Sequence, residues 1–270
     1  MRSETDILWK HINDRFVRAF VTYRLIEDDD HILVGLSGGK DSLLLLELLA
    51  RRARIRHPRF TVEALHVRME NIRYETSTDY LQRFCDNLDV PLHLVTTRFE
   101  NVLEKPQISS LKPPLGRRTL ATKGTQETSN LKSKPPCFLC SWYRRKQLFN
   151  VAQQIDCNKI ALGHHQDDIL HTTLMNLTFQ GRFGTMPARL KMRRMPLTII
   201  RPLCLIREDD IRHYAELSGY EKQQKQCPYE RETHRTSAAK LYAEMERMNP
   251  EVRFSLWKAL ESAGKLVEEY

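Results

Sequence analysis

Ile32-Leu33-Val34-Gly35-Leu36-Ser37-Gly38-Gly39-Lys40-Asp41-Ser42 is the stretch on which the fold turns. An aliphatic run stops at a Ser-Gly-Gly-Lys-Asp-Ser segment, and an unbroken leucine run follows from Leu43. That order reads as a buried strand, a glycine turn and the start of a helix. Glycines let a backbone approach a ligand closely, and successive N–H groups at a helix N-terminus suit an anion. Lys40 adds a mobile positive charge, and Ser37 and Ser42 add hydroxyl donors. The Walker A spacing is absent, because only three residues separate Gly35 from Gly39 and Asp41 follows the lysine.

Outward from this turn the chain alternates strands and helices. An amphipathic helix over 4–27 carries Leu8, Ile12, Phe16, Phe20 and Tyr23 at helical spacing. Strands are expected at 31–37, 60–67, 92–97, 158–163 and 197–203, and helices at 41–53, 76–88, 139–155, 167–179 and 207–217. Such an order predicts an α/β protein, a doubly wound parallel sheet with its ligand at the carboxyl ends of the strands. The chain divides into an N-terminal helix over 1–28, the α/β domain over 29–226 and a C-terminal extension over 227–270. From about 228 onward the pattern is helical only.

The chain has 270 residues, of which 41% are hydrophobic, enough for a sizeable core. No apolar run reaches the roughly 20 residues of a membrane span, and the N-terminus lacks an apolar signal region. A cytoplasmic protein is expected, in which the six cysteines are thiols or metal ligands. The net charge of +9 asks for an acidic partner. Over 105–134, Lys105, Lys112, Arg117, Arg118, Lys123, Lys132 and Lys134 face a single acid, Glu127, in a Pro- and Ser/Thr-rich loop. A second basic stretch, with Arg182, Arg189, Lys191, Arg193, Arg194, Arg201 and Arg207, has no acid between 182 and 207. Solvated surface is one reading of each; two such stretches around a nucleotide-type turn favour nucleic acid.

Cys137-x-x-Cys140 opens a helix and brings two thiols within reach of one metal centre, as zinc site, redox pair or iron–sulfur ligands. Cys85, Cys157 and Cys204 read as core residues, whereas Cys227 follows a polar run. Asp167 and Asp168 follow an apolar strand and suit either a Mg²⁺ site at the carboxyl edge or capping of the next helix. His164 and His165 are adjacent and point apart, so they are no metal pair.

Ser37–Ser42 resembles the signature of the PP-loop ATP-pyrophosphatases. Together with CFLCSWYRRKQLF, ALGHHQDDILHTTLMNL and a lone downstream cysteine, it resembles the TtcA family of tRNA 2-thiocytidine synthetases over residues 5–230. The resemblance implies the adenine-nucleotide hydrolase type of fold. It also implies ATP and Mg²⁺ as cofactors, tRNA as partner, and replacement of the 2-oxygen of cytidine 32 by sulfur. It further implies a [4Fe–4S] cluster on Cys137, Cys140 and Cys227. ATP would be bound by Ser37, Gly38, Gly39, Lys40, Asp41, Ser42, Gly163 and His164. Lys40, Asp41 and Asp167 would act in catalysis, with Asp168 on Mg²⁺. A sulfur donor such as a cysteine desulfurase is implied, a membrane is not, and a homodimer stays open. Two other readings remain: a PP-loop enzyme thiolating a different base or forming lysidine, and a zinc-stabilised RNA-binding protein without activity. The lysidine branch does not need the cysteines.

Overall fold

In the computed structural model the described residues are 3–70, 73–74, 78–98, 136–221, 225–226 and 234–269. The basic loop 105–134, with Arg117 and Arg118, and Cys227 lie outside them. Among the described residues seven strands form the main sheet: β1 (Asp30–Gly35), β2 (Phe60–Met69), β4 (Leu92–Thr97), β5 (Lys159–Ala161), β6 (Arg189–Lys191), β7 (Thr198–Ile200) and β9 (Val267–Glu269). Their order is β4-β2-β1-β5-β7-β6-β9, and β1, β2, β4, β5 and β7 run parallel. Among the described residues the helices are α1 (Glu4–Thr22), α2 (Lys40–Ala53), α3 (Thr78–Asn87), α4 (Pro136–Gln154), α5 (Gln166–Gln180), α6 (Glu208–Leu217), α7 (His234–Met248) and α8 (Val252–Ser262). A two-stranded sheet pairs β3 (Arg73–Tyr74) with β8 (Lys225–Gln226).

Strand alternation explains the layering. Ile32 and Val34 of β1, Val62 and Ala64 of β2 and Ala161 of β5 join one large cluster with side chains of α1, α2, α3 and α5 to α8. Leu33, Leu65, Val67 and Ile160 point the other way, against Val151 and Ala152 of α4. Helices on both faces make the sheet doubly wound, as expected. α2 is buried nearly all round, with Leu43 to Leu46, Leu48 and Leu49 at 0–1% exposure. Each such leucine contributes about 1.5–3 kcal/mol, so this burial fixes the turn in front of α2 firmly. Cys85, Cys157 and Cys204 are buried, as their contexts suggested.

The chain builds outward from β1 through β2 to β4, then returns to lay β5 on the other side of β1. The switch point between β1 and β5 is where an open α/β sheet forms its ligand crevice.

Four expectations need correction. The C-terminal region is not helical only, because β9 adds itself in parallel to the edge strand β6; three residues are too few to show a strand period. β6 runs antiparallel to β7, because a tight hairpin joins them and closes with Met192 N–H on the Leu197 carbonyl at 3.0 Å. α1 ends at Thr22, where Arg24 takes a left-handed φ of 48°. The basic stretch 182–207 is not one surface. Arg201 is buried with Nη1 donating to the Pro187 carbonyl at 2.6 Å. Lys191, Arg193 and Arg194 line a hollow with Asn158 and Thr198 at the amino ends of the parallel strands. No described helix is long and apolar enough to cross a membrane.

Candidate functional site

A cavity of about 750 Å³ opens at the carboxyl ends of β1 and β5. Its polar wall includes Ser37, Lys40, Asp41 and Ser42 from the first turn and His164, His165 and Asp168 from the second. Arg144, Glu208 and Arg235 complete it, while Leu65, Val67, Leu148 and Leu162 line an apolar side. A volume of this order suits a nucleotide-sized ligand.

The first turn is built by its own residues. Gly38 takes a φ of 85° that only glycine adopts without strain. Ser37 N–H donates to Ser42 Oγ at 3.1 Å, the two hydroxyls lie 3.1 Å apart, and Ser42 Oγ donates to the Gly39 carbonyl at 2.9 Å. The two serines therefore shape the loop first. Gly39 caps α2 and offers no side chain to its first turn, so the helix N-terminus presents backbone donors and a positive dipole end to the cavity.

Gly163 has a packing role. A Cβ there would stand 3.1 Å from the Asp41 carbonyl carbon and 3.1 Å from the Ser42 nitrogen. Only glycine lets the β5 turn press onto the start of α2, and this contact joins the two loops into one wall.

Lys40 lies between two acids, with Nζ 2.9 Å from Asp41 Oδ1 and 3.1 Å from Glu208 Oε1. Burial works against its charge, but the two carboxylates outweigh it and hold the ammonium above its ordinary pKa. Asp41 and Glu208 thus converge on one cation at the cavity edge, with side chains 29% and 40% exposed. Two hard carboxylate donors in that position fit Mg²⁺.

The adjacent acids of α5 diverge. Asp168 lines the cavity, accepts from the His165 backbone N–H at 3.2 Å and from Arg235 Nη2 at 2.8 Å. Its capping role is therefore real, and Arg235 already engages one oxygen of the carboxylate that was expected on Mg²⁺. Asp167 is absent from the cavity lining and turns to α8 and α6. It accepts from Arg253 Nη2 at 2.7 Å and from the Glu208 backbone N–H at 2.8 Å. Burial opposes its ionisation, but His165 and Arg253 hold its carboxyl well below the usual carboxylate range. Burial and the Arg201 guanidinium push His164 down to about 4, so this residue faces the cavity neutral at pH 7. His165, although buried, is raised by Asp167 and Asp168.

Cys137 is exposed and Cys140 half-buried at the start of α4, just after Pro136 at the first helical position. Cys137, Cys140, Arg144 and Leu148 recur at three- and four-residue intervals and so share one helix face. Arg144 and Leu148 line the cavity, and Cys140 stands one turn, about 6 Å of rise, before Arg144. Two thiols in this place fit two ligands of a metal–sulfur centre; among the described residues no third donor completes it. Sequence reasoning gave no role to Glu208, Arg144, Arg235 or Arg253. Arg144 was within reach as the fourth residue after Cys140; Arg253 had no local signal.

Residues 9–110, which carry the Ser-Gly-Gly-Lys-Asp-Ser turn at the switch point, match the PP-loop domain family. The tRNA-cytidine(32) 2-sulfurtransferase of Shewanella oneidensis is 33% identical over 213 residues, 79% of this chain and 61% of that protein. Its counterpart in Bordetella avium is 34% identical over 219 residues, 81% of this chain and 62% of that protein. The chain thus spans about three-fifths of the length of these curated relatives. Among solved structures, the U34-tRNA thiolase NcsA from Methanococcus maripaludis with its [4Fe–4S] cluster shares the fold. Its TM-score is 0.68 at 22% identity, covering 98% of this chain and 81% of that one.

Proposed function

We propose that this protein is an ATP-dependent tRNA sulfurtransferase that replaces the 2-oxygen of cytidine 32 with sulfur. The observation that carries the reading is the helix face of α4, on which Cys137 and Cys140 lead directly to Arg144 at the nucleotide cavity. Thiol chemistry beside a PP-loop is the combination that a thiolase needs and a simple ATPase does not. The names of the curated relatives point to the same base and position.

ATP lies with its phosphates on the turn at 37–42 and its base against Leu65, Val67 and Leu162. Lys40 and the N-terminus of α2 stabilise charge on the phosphates, and Arg144 faces them from α4. Asp41 and Glu208 would hold Mg²⁺, which neutralises phosphate oxygens. The cytosine O2 attacks the α-phosphorus, the bond to the β-phosphate bridge breaks, and pyrophosphate leaves. A donor such as a cysteine desulfurase delivers persulfide sulfur, which a thiol reductant must first reduce by two electrons to hydrosulfide. The hydrosulfide then attacks C2. Its proton is lost as C=S forms, and AMP departs with the former O2. Cys137, Cys140 and Cys227 would hold a [4Fe–4S] cluster, which would supply an iron able to bind sulfur. Asp167 holds the walls of the site, since it does not line the cavity. Work on tRNA would keep the enzyme in the cytoplasm.

The test is nucleoside mass spectrometry of tRNA from a deletion strain, with and without the restored gene. Loss and recovery of 2-thiocytidine is the expected result. Loss of a thiouridine instead, or release of ADP in place of AMP by the purified protein, overturns the assignment.

A further inference from the structure

We infer that Arg253, in the C-terminal helix α8, is a positioning residue for the nucleotide site, acting through Asp167 and Glu208 on Lys40. The inference rests on the reading of the cavity as the ATP site. Arg253 lies far from the matched span 9–110 and contributes nothing to the cavity lining. Both terminal nitrogens of its guanidinium are nonetheless engaged, while its buried Nε has no hydrogen-bond partner among the described residues. Nη2 donates to Asp167 Oδ1 at 2.7 Å and to Glu246 Oε1 at 3.1 Å, and Nη1 donates to Gln166 Oε1 at 3.2 Å. Its charged carbon lies 5.3 Å from the centre of the Tyr242 ring. The side chain is only 16% exposed.

Asp167 passes this constraint on. Its second oxygen accepts the backbone N–H of Glu208, the first residue of α6. Arg207, the N-cap of α6, supplies no side-chain bond, so the helix is capped by Asp167 of α5 instead. The Glu208 side chain then reaches Lys40 Nζ at 3.1 Å. One continuous path of charge-assisted bonds therefore runs from α8 to the lysine of the first turn. Arginine suits its origin, because one planar fork satisfies Asp167, Gln166 and Glu246 together. Arg253 reaches Glu208 only through Asp167, so substitutions at 253 and 208 should multiply their effects if each acts alone.

The experiment is an equilibrium titration of the full chain with ATP and Mg²⁺, without tRNA, together with thermal unfolding. Arg253→Met keeps the aliphatic stem and should weaken ATP binding about tenfold, the scale of lost outer-shell support. Glu208→Gln should cost about the same. The double variant should bind no worse than the weaker single one, and Arg253→Lys, which keeps the charge but not the planar fork, should lose part of the same affinity. Where Arg253→Met does not fold, Arg253→Lys carries the cycle: its loss should vanish in the Glu208→Gln background. Multiplying losses overturn the inference, as does a lowered unfolding temperature with unchanged ATP affinity. A parent protein that does not bind ATP defeats the reading of the cavity itself; a parent that binds ATP while the losses multiply defeats only the role of Arg253.

Discussion

Gly163→Ala tests the wall of the cavity where it is tightest. The new Cβ would stand 3.1 Å from the Asp41 carbonyl carbon, 3.1 Å from the Ser42 nitrogen and 3.2 Å from the Asp41 oxygen. All three are backbone atoms at the start of the buried helix α2, so no flexible side chain can give way. Ordinary contact needs about 3.5–4.0 Å, so the two loops must part by about 0.5 Å. Overpacking of this kind costs about 1–3 kcal/mol. At about 2–4 °C for each kcal/mol in a chain of this size, the unfolding temperature should fall by about 4–8 °C for a middle value. The same displacement moves the Lys40 turn against the His164 turn, and tRNA-dependent AMP release should fall about tenfold, since misplacement by 1 Å can cost a hundredfold. Gly184→Ala is the internal control, because its Cβ would meet only the end of the Arg182 side chain, at 3.9 Å. Differential scanning calorimetry and an AMP assay read both variants. If Gly163→Ala matches Gly184→Ala in both, the close approach of the two turns is not what shapes the site.

Lys40→Ala or Asp41→Ala should abolish AMP and pyrophosphate release while the circular dichroism spectrum stays unchanged; residual release above about 1% of the parent rate would remove both from the chemistry. Neutralising Lys191, Arg193 and Arg194 together should flatten the salt dependence of tRNA binding by about one unit of slope per lost phosphate contact. ATP binding without RNA should not change, because these residues line the hollow at the opposite end of the strands. An unaltered salt slope returns them to solvated surface. His164, pushed down to about 4, stays neutral where the unfolded chain, with an ordinary value near 6.5, takes up a proton. Its share of stability is therefore present above about pH 6.5 and lost as the pH falls toward 4. His164→Gln should shrink the drop in urea midpoint between pH 7.5 and 5, and an equal drop in both proteins counts against the assignment. In protein freed of metal, iodoacetamide at pH 8 should label Cys137 and Cys140 and spare Cys85 and Cys157, whose thiols burial pushes up to about 12. Peptide mass spectrometry reads the pattern, and equal labelling of all four refutes it.

The parts of the fold that local composition dictates were legible. The aliphatic run of β1, the leucines of α2 and the span 92–97 of β4 each contrast sharply with their flanks. Elements whose stability comes from distant partners were not. β9 has three residues and exists because it pairs with the open edge of β6 far upstream, and no window of sequence contains that fact. The end of α1 fell early because Arg24 adopts a left-handed conformation that nothing in its neighbours announces.

The site divides along the same line, and the pair Asp167–Asp168 shows why. Both acids were legible as a motif at the carboxyl end of a strand, but a helix turns about 100° per residue. Neighbours in sequence therefore face different surroundings, and sequence cannot say which of the two meets the ligand. The structure gives Asp168 to the cavity and Asp167 to Arg253, with the Glu208 N–H as the second claim on Asp167. Once Asp167 is committed to those partners, Glu208 takes over as the acid opposite Asp41 on Lys40. A carboxylate that the motif offers to chemistry is spent on building the wall, and one that no motif marks stands at the cavity edge in its place.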